Sequence, residues 1–355
     1  MTLSKTQLQA LSKVRAAGNS EIDSSLDDAT CCYLLSVLVR DLALAKLFPE
    51  LPPNVPDLFS EIPPVELRVP DRDFIELYAR ALENIPDADA YFLCLAKLQK
   101  ARIKYSKILQ KQPMPTVEQV GPRALLQLGQ MSVGALVTLL FWRKWMFDID
   151  NRAGQETGYL FEPIISYCIG GVSYGATNSP IRRLGSRQGG GRQVDCLVET
   201  KKAAYEVKIR VTIAASGQGR WAEELSFPTE AAASGYKPIL VVLDPTSNPK
   251  LLELADAFVE AKGEVYLGLA AWAHLEEAAG PVMSTFLDKH VKDALGIVLG
   301  ASHEAIKPIA IHLEAGHLIF TLGDEVVDIL RDESPMLASG SDEIPADTVS
   351  GPPTP

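Results

Sequence analysis

Asp195, Glu206 and Lys208 lie within one short stretch, Val-Asp-Cys-Leu-Val-Glu-Thr-Lys-Lys-Ala-Ala-Tyr-Glu-Val-Lys, which ends at Lys208. Two carboxylates and an amine on one surface are costly without a task. Like charges at short range raise each other's pKa and repel until a cation comes between them. Hard oxygen donors so placed suit Mg²⁺, which keeps several waters and often takes further oxygens from a phosphate. The ion can activate a water, orient it for in-line attack and neutralise charge growing on the phosphorus oxygens. A neighbouring lysine can hold that water and stabilise the pentacovalent state. These residue types therefore point to phosphodiester hydrolysis. An Asp followed eleven residues later by Glu-x-Lys also arises by chance, and on an ordinary strand the trio would be a surface salt bridge.

For the three side chains to meet, residues 194–198 and 204–213 must form two strands joined by a tight turn. A two-residue turn at Lys201 and Lys202 would pair 200 with 203 and 195 with 208. Side chains two apart share a strand face, and so do directly opposed residues. Asp195, Glu206 and Lys208 would then share one face. A slip of one residue would send Asp195 to the other side.

The surroundings favour a polyanionic substrate. The chain has a net charge of -11, which weighs against nonspecific coating of nucleic acid. Between Asn178 and Arg220, however, nine basic residues face only three acids. Residues 96–111 add six more cations and no acid, as either a DNA-backbone contact or a solvated helix face. Arginine offers a two-pronged donor to guanine O6 and N7. Arg182, Arg183, Arg187 and Arg192 sit in or beside a glycine-rich loop that could reach a groove. Arg210 follows Lys208 by two and could meet a phosphate beside the scissile bond. Gln218 could bond adenine, and Arg220 guanine or phosphate. Contact with phosphate, or plain solvation, is the commoner use of any single arginine here.

The elements that must position these groups change character along the chain. The first 150 residues read as helical, with 3.6-residue apolar spacing over 30–48, 72–84, 88–110 and 117–148, the last broken near 129–132. A connector at 49–70 holds seven prolines. A helix over 155–167 leads into a loop-like stretch at 170–191. Strands at 194–198, 204–213, 238–243 and 264–267 then alternate with helices at 221–234, 251–262 and 270–279. That order predicts an α/β fold with a mixed central β-sheet flanked by helices, behind a largely helical N-terminal region. The division expected is a helical region at 1–150 for DNA wrapping or dimerisation and a catalytic core at 151–280. A small α/β segment at 281–332 and a disordered acidic tail at 333–355 follow.

Other classes are disfavoured. Five cysteines without CxxC spacing argue against a disulfide framework or a zinc ribbon. The histidines all fall at or after His274, none in an HExxH arrangement, and His312 and His317 flank an expected hairpin turn. The glycine triplet at 189–191 is followed by no Lys-Ser/Thr and precedes a strand, so no nucleotide cofactor is expected. No apolar run approaches the roughly 18 residues a membrane helix needs. The start has no signal-peptide pattern, which makes the cytoplasm the expected location.

Gly158-Tyr-Leu-Phe-Glu162, then Gln193-Val-Asp195, then Tyr205-Glu206-Val-Lys208 resembles the PD-(D/E)XK nuclease superfamily. Within it, residues 156–244 are most similar to type II restriction endonucleases of the ApaLI kind. The resemblance implies a restriction-endonuclease-like core, with Asp195 and Glu206 as Mg²⁺ ligands and Lys208 as the catalytic lysine. Glu162 would be an auxiliary acid of the metal site, with Glu156 its rival. It further implies a homodimer that makes double-strand breaks in duplex DNA at a palindromic site, GTGCAC, within a restriction–modification system. Val194 stands where the motif's name has proline. Two alternatives stay open: a repair or junction-resolving nuclease of the same superfamily, and a catalytically silent DNA-binding protein.

Overall fold

Helix α2 (Asp28–Asp41) is buried over residues 30–39, as an almost wholly apolar helix must be. The computed structural model describes residues 3–16, 22–185, 190–209, 211, 218–244, 246–301 and 306–332. Ahead of α2 runs α1 (Lys5–Arg15), and after it come α3 (Phe74–Asn84) and α4 (Ala88–Lys111). Asp27 and Asp73 cap α2 and α3 by accepting from the backbone N–H groups of Thr30 and Glu76. The proline-rich connector holds only a short 3-10 turn, Pro64–Glu66. A short helix α5 (Val117–Val120) precedes the break foreseen near 129–132, after which Ser132 caps α6.

Helix α6 (Val133–Cys168) is 36 residues long. The helix expected at 155–167 is therefore its last third. No glycine or proline signal stops it at 150, and Pro163 removes only one backbone bond. One hydrophobic core runs from α2 and α4 through Ile164, Ile165 and Cys168 of α6 to Val198, Tyr205 and Val241 of the sheet.

The central sheet has the order β1-β2-β3-β4-β5. Strands β1 (Val172–Tyr174), β2 (Val194–Val198) and β3 (Ala203–Lys208) are antiparallel. β4 (Lys237–Val242) and β5 (Glu264–Leu267) continue parallel to β3. α7 (Gln218–Ala233) and α8 (Pro249–Glu260) supply the crossovers, and α9 (Leu269–Leu287) follows β5. The expected mixed sheet flanked by helices is thus observed. Cys196, Val198, Ala203, Tyr205 and Val207 face the α6 and α9 side. Leu197, Ala204, Leu240 and Val242 face α7 and α8. β1, three residues long inside the glycine-rich stretch, is too short to show a period in sequence.

Beyond α9 the chain makes a π-helical turn, Asp288–Lys292, and a helix α10 (Asp293–Leu299). It then forms an antiparallel sheet of β6 (Ile309–Glu314), β7 (His317–Leu322) and β8 (Glu325–Leu330). His312 and His317 do flank a hairpin, whose turn residues Ala315 and Gly316 both have positive φ. This sheet packs on the helices through Phe320 against Trp145, with ring centres 5.9 Å apart. Among the described residues no helix is long and apolar enough to cross a membrane. The expected tail at 333–355 lies outside them.

Candidate active site

Asp195 enters near the start of β2, and Glu206 and Lys208 near the end of β3. The connection differs from the two-residue turn expected. Residues 199–202 make it, as a 3-10 turn followed by Lys202 at φ 49, and Val198 pairs with Ala203. Continuing that register puts Asp195 opposite Glu206, where the two-residue turn would have put Lys208. The error is two residues. Because the side-chain period is also two, the three residues still share a face. It is the face of Leu197 and Ala204, beneath α7.

Lys208 Nζ lies 3.0 Å from Glu206 Oε1 and 3.4 Å from Glu224 Oε2. Burial works against the ammonium, but Glu206, Glu224 and Asp195 outweigh it and hold the lysine above its usual range. Burial and then the charges of Glu206 and Glu162 push the Asp195 carboxyl well up. Lys208 and the Val207 N–H, which donates to that carboxyl, oppose the rise only in part. A divalent cation is the natural answer to this repulsion. Among the described residues no three His, Cys, Asp or Glu side chains converge closely enough to enclose an ion. Mg²⁺ does not require that, since one or two carboxylates with waters and a substrate phosphate suffice. Asp195 and Glu206 fit that role.

Glu162, from α6, acts on Asp195. Its rival is engaged elsewhere: Glu156 pairs with Lys104 at 2.8 Å and with Arg152 at 3.4 Å. Glu224 was missed in the sequence. Its only signal was the Glu223-Glu224 pair on a short helix, and nothing local told which of the two turns toward β3.

The arginines separate. Arg192 is buried, with its guanidinium over Phe227 at 5.8 Å, 3.8 Å from Glu230, and donating to the Glu223 carbonyl. It ties the loop to α7 and does not stand ready to read a base. Arg183 pairs with Glu223 at 2.8 Å. Arg182 is exposed, its backbone N–H donating to Ser234 Oγ. Arg187 and Arg210 lie outside the described residues, and Gln218 and Arg220 are described only as backbone in the first turn of α7.

The cations of α4 are also engaged. Lys100 donates to the Val14 carbonyl, Lys107 to that of Asp23 and Arg102 to that of Leu58. Lys104 holds Glu156, Lys111 pairs with Asp332 at 3.1 Å, and Lys97 lies over the Tyr167 ring. The row expected to contact a DNA backbone mainly ties α4 to its neighbours.

A mixed sheet with an acid pair and a lysine where its antiparallel and parallel halves meet has the form of a nuclease. Comparison with known proteins narrows that class. A family model described as ApaLI-like restriction endonuclease matches residues 64–292. The chain is 44% identical over 287 residues to the type II restriction enzyme ApaLI of Acetobacter pasteurianus, covering 76% of each. No solved structure matches. The chain belongs to the ApaLI-like restriction endonucleases.

Proposed function

We propose that this protein cleaves both strands of duplex DNA at a short palindromic site in a Mg²⁺-dependent reaction. The site would be GTGCAC, by the likeness to ApaLI. The observation that carries the reading is Asp195 opposite Glu206 on adjacent strands, with Lys208 3.0 Å from the second carboxylate. Asp195 and Glu206 would hold the cation, and Glu162 would tune the pair as an auxiliary acid. When bound, the cation would supply charge neutralisation at the scissile phosphate and a more acidic water. Lys208, kept protonated by its acidic neighbours, would steady the attacking water and the negative charge growing on the phosphate oxygens. Arg182 and Arg183, with Arg187, Arg210, Gln218 and Arg220, would supply DNA contacts. Arg192 would serve them by holding the loop.

Cutting both strands of a palindrome calls for two sites, and a homodimer provides them. Leu125, Leu126 and Val133, at and just before the start of α6, and Phe147 about four turns along it are exposed apolar side chains that a second copy could cover. With the α4 cations engaged internally, dimerisation suits the 1–150 region better than DNA wrapping. The test is digestion of a plasmid holding one GTGCAC site. Discrete linear product is expected with Mg²⁺, and loss by at least about a hundredfold in each of Asp195→Ala, Glu206→Ala and Lys208→Ala. Equal cutting by all three variants would sink the assignment.

A further inference from the structure

Glu224 is the carboxylate beside the trio that no part of this reading uses. It stands on α7, over the face that carries Asp195, Glu206 and Lys208, and its Oε2 is 3.4 Å from Lys208 Nζ. Its neighbour has other work: the Glu223 side chain holds Arg183, and its carbonyl accepts from Arg192. The charges acting most on Asp195 are Glu206 and Glu162, whereas Glu224 bears on Lys208. Lys208 thus has one counter-ion on its own strand and a second on a helix.

If Asp195 and Glu206 hold a divalent cation, the Glu206 carboxylate must serve two positive partners. An ammonium 3.0 Å from one of its oxygens opposes the incoming ion. A second carboxylate already within reach of the ammonium removes that conflict. We propose that Glu224 is a positioning residue that takes over the Lys208 ammonium when a divalent cation occupies the Asp195–Glu206 pair. Glu206 is thereby released for the cation, and Lys208 stays charged and beside it. This role rests on the cation site proposed above.

The test is calorimetric titration of Mn²⁺ into the full chain without DNA, so that the readout is binding and not cleavage. Glu224→Gln keeps the shape and removes the charge. It is expected to weaken Mn²⁺ binding about tenfold, the low end for an outer partner of a metal ligand. Glu224→Asp, which keeps the charge, is expected within about twofold of the parent. In a Lys208→Ala background nothing competes for Glu206, and Glu224→Gln should then change the affinity by less than about twofold. Unchanged affinity in the Glu224→Gln single variant would make Glu224 a plain brace between α7 and β3 and overturn the proposal. An equal loss with and without Lys208 would make it a direct ligand and also overturn it. Asp195→Ala separates the two levels. Mn²⁺ binding that survives this substitution refutes the cation site and this role together. Binding lost in Asp195→Ala but indifferent to Glu224→Gln refutes only the role of Glu224.

Discussion

Asp195 and Glu206 face each other across β2 and β3, and burial beside that like charge pushes the Asp195 carboxyl up. A buried acid so disfavoured destabilises the cation-free protein once it ionises. Asp195→Asn is therefore expected to raise the melting temperature by a few degrees while abolishing cleavage. It should also remove the rise in melting temperature that Mg²⁺ or Mn²⁺ gives the parent, since an ion that binds only the folded state stabilises it. Thermal denaturation with metal and with chelator checks both. A lower melting temperature for the cation-free variant would show that the carboxylate stabilises the fold, against this reading.

Arg192 and Arg183 belong to one basic stretch but have different surroundings. Arg192 is buried over Phe227 beside the buried Glu230, whereas Arg183 meets Glu223 where both are well exposed. Arg192→Ala is expected to cost about 3 kcal/mol, because it leaves the buried Glu230 carboxylate without its cationic partner. Arg183→Ala should cost less than about 1 kcal/mol, as exposed pairs do. Urea unfolding of the two variants decides it. Native stability in Arg192→Ala combined with loss of site discrimination would restore Arg192 as a reader of DNA.

Asp41 joins α2 to the π-helical turn. It accepts from Tyr91 Oη at 3.0 Å, and its Oδ2 lies 2.6 Å from His290 Nε2. Burial opposes its ionisation, but His290, Arg40 and Tyr91 outweigh burial and hold the carboxyl below its ordinary range. An acid held low in the folded state contributes stability that is complete above its unfolded pKa, about 3.9. The contribution is lost as pH falls through the lower folded value. Asp41→Asn is expected to cost about 3–5 kcal/mol at neutral pH, with the gap to the parent closing in acid. Denaturant titrations at neutral and acidic pH measure the gap. A gap independent of pH would mean that Asp41 is not ionised in the native protein.

Gly171 lies where the chain leaves α6 for β1. A Cβ there would sit 2.2 Å from Cys196 Sγ, so even alanine must displace that sulfur, which stands on β2 next to Asp195. Gly171→Ala is expected to cost about 1–3 kcal/mol, as overpacking does, and to slow cleavage as well. Cys196→Ala removes the obstructing sulfur, and the double variant should recover part of both losses. If Cys196→Ala adds its own cost instead, the clash is not the cause.

Much of this was legible in the chain itself. The order of strands and helices after 191 follows from short apolar runs alternating with amphipathic stretches, and β2 and β5 fall on the expected residues. The three candidate residues stand out by type and spacing, and their shared face survives a turn other than the expected one because the error equals the side-chain period. Glu162 came from resemblance alone, and the field of Asp195 distinguishes it from Glu156.

The sequence by itself determined the fold class and the strand pair, and it singled out the acid pair and lysine proposed for the site. These depend on local patterns, which the chain carries whatever it packs against. Only the tertiary structure decided which charges remain available. Arg192 and the α4 cations look alike in sequence to residues that could touch DNA, yet each meets partners 31 to 221 residues away. Glu224 became visible only once α7 lay over β3. Whether a charge is solvated, paired inside the molecule or left to meet a ligand depends on what the fold brings within a few ångströms, and adjacency in the chain does not record that.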